Sequence, residues 1–154
     1  PVDLVESSVV RFTARDGLEI PNILWKPHQA TAQNKAPALL LVHGGGAHAN
    51  WWRFIAPFFT RDFRVAALDL SGMGDSGRRP EYNAGLRADE MRAVLGAAEL
   101  GERPFVVGHS FGGYMTMRFG AAYGSEIGGA VIVDSPIMRP KPDGTPSTAT
   151  RPRS

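Results

Sequence analysis

The chain has 154 residues, 43% hydrophobic and 21% charged, with no cysteine and a formal net charge of +2. That length fits one domain with a proper core, the absence of cysteine excludes disulfides and thiolate metal sites, and no apolar run approaches a membrane span. Residues 1–138 carry 13 Lys and Arg against 14 Asp and Glu, a net of −1, whereas residues 139–154 have a net of +3. The positive charge therefore belongs to a tail and not to a folded face, which argues against a nucleic-acid partner. No leader of charged, apolar and then small residues opens the sequence, so the expected location is the cytoplasm, away from membranes.

Residues 9–15 and 18–26 alternate polar with apolar and meet at Asp16-Gly17, a pair suited to a tight turn; they predict an antiparallel hairpin. Residues 36–43 (APALLLVH) are apolar on both faces, as a strand buried in a parallel sheet is. HGGGAH follows at residues 43–48. Its glycines let the backbone approach a substrate and aim N–H groups at a developing negative charge, which makes it a candidate oxyanion hole. No Gly-Lys-Ser/Thr follows, so it is not a phosphate-binding P-loop. Residues 50–61 (NWWRFIAPFFTR) predict a helix with Asn50 as N-cap, kinked or split at Pro57. Trp51, Trp52, Phe54 and Phe58 are expected to pack mainly on the sheet, and only secondarily to line a pocket.

Residues 63–70 predict the next buried strand, followed by SGMGDSG at 71–77, which contains a formal GxGxxG. Arg78-Arg79-Pro80 comes next instead of a helix, so a dinucleotide site does not fit and no cofactor is expected. Asp69 or Asp75 is better placed to cap local backbone donors. A helix over about 84–100 puts Leu86, Met91, Val94, Leu95 and Ala98 on one broad stripe. Residues 103–109 predict a strand, 111–123 a helix ending at Gly124, and 128–134 a sixth strand. Alternating β and α segments of this length give an α/β, doubly wound, mostly parallel sheet.

The most specific motif is GHSFGG, residues 108–113, standing between a predicted strand and a predicted helix. A strand-turn-helix corner at Gly-x-Ser-x-Gly strains the serine and needs small residues two before and two after it, here Gly108 and Gly112. With LLLVHGGG (39–46), VAALDLSGMGDSG (65–77) and AVIVDSP (130–136) in the same order, the chain resembles the α/β-hydrolase fold family from about residue 9 to residue 138. The resemblance implies Ser110 as nucleophile, the N–H of Phe111 as one oxyanion donor and Gly45 as the second. It also implies a small-molecule acyl substrate, such as a carboxylic ester, and no metal or cofactor. A serine at 110 argues against the relatives with an aspartate nucleophile, the haloalkane dehalogenases and epoxide hydrolases.

In this family the acid and then the histidine follow the serine, yet all four histidines, His28, His43, His48 and His109, precede Ser110. His109 is expected to pack away from the serine, and His43 and His48 belong to the glycine loop. Asp134, at the end of the sixth strand, is the one placed candidate for the acid. Family members usually continue into a cap and two more strands. The expectation is therefore a partial α/β-hydrolase domain over 1–138, lacking the last two strands and the cap, with a disordered Pro/Thr/Arg-rich tail over 139–154. Such a fragment would be weakly active, and its open apolar sheet edge would suit an oligomer or a complementing chain. A catalytically inactive binding module on the same scaffold is the other alternative.

Overall fold

Parallel strands require crossovers, and the segments between them here are long enough to supply one each. The computed structural model describes residues 5–31, 33 and 36–135. The elements, in chain order, are β1 (Ser7–Thr13), β2 (Glu19–Trp25), β3 (Ala38–Val42), β4 (Arg64–Leu68), α1 (Ala84–Ala97), β5 (Phe105–His109), α2 (Phe111–Tyr123) and β6 (Gly129–Val133). The tail expected beyond residue 138 lies outside the described residues.

The six strands form one sheet in the order β1-β2-β4-β3-β5-β6. β1 and β2 are antiparallel, with Ser7 opposite Trp25 and Thr13 opposite Glu19, and β2 is antiparallel to β4. The remaining pairs, β3 with β4, β3 with β5 and β5 with β6, are parallel. The Asp16-Gly17 hairpin and the mostly parallel α/β sheet are thus as expected, and Gly17 takes the left-handed φ of +85° that the turn requires.

Alternation along the central strands builds two cores. Leu40 and Val42 of β3 point to the side covered by α1 and α2, where they meet Leu68, Met91, Val94, Val106, Met115 and Phe119. Leu39 and Leu41 point to the other side, against Trp25, Trp52, Ala56 and Val65. All five residues of β3 and all five of β4 are buried, which is why β3 and, after Arg64, β4 read as continuous apolar runs.

Residues 50–61 are split, as expected, but into two 3₁₀ turns, Ala49–Trp52 and Ala56–Phe58, with Pro57 inside the second and not at the break; two further expectations need correction. Asn50 is not the N-cap: His48 precedes the first turn without a side-chain bond, and the Ala49 N–H donates to Asp69 Oδ1 instead. With so short a contact face, only Trp52 packs fully, while Trp51, Phe54 and Phe58 are 56%, 83% and 80% exposed. The sixth strand is an open edge: among the described residues it pairs only with β5, and Val131 is 54% exposed.

On that same side an open apolar groove of about 610 Å³ runs between the 3₁₀ turns and β6, lined by Leu41, Trp51, Ile55, Val107, His109 and Val131 among others. No helix among the described residues is long and apolar enough to cross a membrane.

A buried charge cluster fastens the hairpin to α1. Arg79 pairs with Glu90 and Asp16, its Nη2 lying 2.7 Å from Asp16 Oδ1, and Glu90 Oε2 accepts the Ser71 N–H at 3.1 Å. The Arg79 and Glu90 side chains are 7% and 1% exposed. Removing one partner strands the other charge, so Glu90→Ala should cost about 3 kcal/mol or more by chemical denaturation. The hydrogen bond from Arg79 holds the Asp16 carboxyl at about 2, below its usual 3.8. Because the folded value is depressed, this pair contributes stability above about pH 4 and loses it as the pH falls from 4 to 2. Acid titration of wild type against Asp16→Asn should show the difference in stability closing over that window.

Candidate active site

Ligands of open α/β sheets bind at the carboxyl ends of the parallel strands, and the glycine motifs all fall there. β5 ends at His109 and α2 begins at Phe111, which leaves one residue, Ser110, to turn the chain. It does so at φ +52° and ψ −117°, a conformation that is costly for any residue with a side chain. Ser110 holds the N-cap position of α2, yet its hydroxyl makes no capping bond. Its N–H instead donates to Val133 O at 2.9 Å, fastening the corner to the end of β6.

The two flanking glycines are sterically required. A Cβ on Gly108 would lie 2.4 Å from Gly112 O, and one on Gly112 would lie 2.3 Å from Val42 O and 2.5 Å from His43 O. The first turn of α2 is therefore pressed against the end of β3, where the glycine loop starts. A Cβ on Gly44 would lie 3.4 Å from Ser110 Cβ, and one on Gly45 would lie 3.5 Å from Phe111 Cβ. The structure thus brings Ser110, Phe111 and Gly45 together from two separate loops. The first N–H groups of α2 have no intrahelical partners, and its positive dipole end faces the same place. Chemically, a hydroxyl beside convergent backbone donors suits attack on a carbonyl with the negative charge held on oxygen.

The remaining polar residues are positioned by other bonds. His43 is fully buried: its Nδ1 lies 2.7 Å from Gly44 O, to which it donates, and its Nε2 accepts the Leu70 N–H at 3.1 Å. Burial pushes its pKa down, so it stays neutral and ties the glycine loop to the loop after β4. His109 stacks on Trp51 with rings 15° apart and its Nδ1 buried without a partner, on the apolar side of the sheet. His48 is exposed.

Asp69 Oδ2 accepts the Asp75 N–H at 2.9 Å, so Asp69 is the capping residue and Asp75 the capped one. Asp134 follows β6 at φ +45° and is exposed, with its carboxylate unbonded among the described residues. The described residues hold no group of three or more His, Cys, Asp or Glu that could bind a metal.

Sequence reasoning overlooked Arg87. It lies in the first turns of α1 and four residues before buried Met91, so it is a charge on the inward stripe, and that is the signal that could have found it.

Residues 39–154 match the model of the alpha/beta hydrolase family. The chain is 32% identical over 119 residues to bifunctional epoxide hydrolase 2 of Mus musculus, covering 75% of this chain and 21% of that protein. It is 33% identical over 97 residues to the pimeloyl-[acyl-carrier protein] methyl ester esterase of Edwardsiella ictaluri, covering 63% of this chain and 36% of that protein. Among solved structures, the 2-hydroxy-6-oxo-6-phenylhexa-2,4-dienoate hydrolase of Rhodococcus sp. strain RHA1 superposes with a TM-score of 0.73 at 26% identity, over 90% of this chain and 51% of that one. The chain thus spans from about a fifth to about half of these relatives' lengths.

The corner predicts opposite effects from two small substitutions. Gly112→Ala forces a methyl onto the carbonyls of β3 and should cost about 3 kcal/mol. Ser110→Gly relieves the positive φ and should raise stability by about 0.5–1 kcal/mol. Urea melts of the two variants against wild type check both.

Proposed function

Since the chain belongs to the alpha/beta hydrolase family, we propose that it is the nucleophile-bearing part of a serine hydrolase acting on small carboxylic esters or related acyl substrates. The observation that carries this is the juxtaposition of the strained Ser110 corner with Gly45 and Phe111. Ser110 Oγ attacks the substrate carbonyl carbon, its proton passes to a base, and the N–H groups of Gly45 and Phe111 hold the oxyanion. Collapse expels the alcohol, and water then releases the acyl group from Ser110. Similarity to an ester esterase and to a hydrolase of a 2-hydroxy-6-oxo dienoate supports this chemistry, and a serine at 110 favours it over epoxide opening.

The base is the unfilled role. His43 has both ring nitrogens bonded, whereas His109 keeps an unbonded Nδ1 but stacks on Trp51 on the apolar side of the sheet, and neither bonds Ser110. We assign the base to polypeptide outside these 154 residues, with Asp134 as the candidate acid beside it. A second role has its own observation: the exposed β6 edge and the apolar groove next to it favour a half-domain completed by another polypeptide.

In an unrelated serine protease, loss of the histidine lowers turnover by about 10⁶ and leaves about 10³ to 10⁴ over water. The purified chain should accordingly turn over p-nitrophenyl acetate no faster than that residue of activity, and Ser110→Ala should abolish it. Ordinary esterase turnover, lost in Ser110→Ala, would mean that these residues contain the base.

A further inference from the structure

Arg87 lies where the ends of three parallel strands converge. Its guanidinium carbon is 4.7 Å from the ring centre of Tyr82 and 5.0 Å from that of Phe111, the residue next to Ser110. Its Nη2 reaches Ser71 O, just beyond β4, at 3.3 Å, and its charge is felt at His43, just beyond β3. Despite this, Arg87 forms no ion pair among the described residues, and its Nε is buried without a hydrogen-bond partner.

The carboxylate whose charge acts on Arg87 is already engaged. Glu90 gives Oε1 to Arg79 and Oε2 to the Ser71 N–H. Arg79, a few residues earlier, shows what a satisfied arginine looks like in this fold: it has two carboxylate partners. Partial burial lowers the Arg87 pKa against the opposing pull of Glu90 and Tyr82, although it stays a cation at any physiological pH. Stacking against two rings holds the planar group, and Nη1, which bonds no described residue, is left to meet an anion.

We propose that Arg87 is a specificity-determining residue that binds a carboxylate on the substrate, so that the acyl substrates of this site are anionic, as in half-esters of dicarboxylic acids. This rests on the serine hydrolase reading for the word "substrate", but the anion site itself does not need Ser110. A carboxylate there would accept from the Nη1 N–H groups that no described residue satisfies, a charge-assisted bond stronger than one between neutral groups.

The test is binding, not turnover. Hexanoate and 1-hexanol have similar apolar tails and differ in charge, and each is titrated into the purified chain by NMR at low salt. Hexanoate should bind saturably and at least about tenfold more tightly than hexanol, with the preference shrinking at high salt. Arg87→Met should abolish the preference, Arg87→Lys should keep part of it, and Arg92→Met, on the exposed side of the same helix, should keep all of it. Equal binding of the two probes by wild type would overturn the proposal, even if Arg87→Met fails to fold, and so would a preference that survives in folded Arg87→Met. Ser110→Ala should bind hexanoate like wild type. If Ser110 proves unreactive while the preference persists, the serine reading has failed and the anion site has not.

Discussion

The structure turns on a contact with no room in it: the first turn of α2 pressed against the carbonyls that end β3, with hydrogen atoms alone separating Gly108 and Gly112 from backbone. This approach fixes how the chain leaves β5, and that exit forces Ser110 into positive φ. It also sets the start of α2 beside Gly44 and Gly45, so hydroxyl and backbone donors share one cleft. His43 holds the loop from behind with a bond at each ring nitrogen, and Asp69 holds the neighbouring loop and the first 3₁₀ turn. Strain at one residue is thus carried by packing and hydrogen bonds across several elements.

Much of this was legible in the residues. Buried strands announce themselves as short aliphatic runs, and β3 and β4 are buried throughout. Gly-x-Ser-x-Gly states its own steric demand, so the corner followed once a strand and a helix were placed around it. Other features depended on tertiary context. NWWRFIAPFFTR has helical spacing, yet it makes only two 3₁₀ turns, with the break at residues 53–55 ahead of the turn that holds Pro57, and Asp69, distant in sequence, satisfies the Ala49 N–H that opens the first. β6 has the composition of an inner strand but the exposure of an outer one, since composition records what a strand can bury and not what covers it. Arg87 was hidden because a stripe is read by its apolar members, and a charge among them attracts notice only when its partners can be counted.

The two sides of the sheet differ in how complete they are. On the side of α1 and α2, apolar residues are covered and Arg79, Glu90 and Asp16 lock the margin. On the opposite side, Trp51, Ile55 and Val131 line an open groove. Exposed apolar surface of this extent next to an open strand edge is what folded proteins normally cover. The relatives that superpose on this chain are about twice its length, so they have polypeptide enough to do so. The same asymmetry applies to the chemistry: the proposed nucleophile and its candidate oxyanion donors lie within these residues, whereas the proposed base does not.

The most direct measurement of that claim is the pH dependence of Ser110 phosphonylation by a fluorophosphonate, followed by intact mass. If Ser110 is a strained, accessible nucleophile without a base, labelling should be slow, confined to Ser110, and should rise steadily with hydroxide from about pH 6 to pH 9. A plateau above an inflection near pH 7, or the absence of label on Ser110, would contradict it.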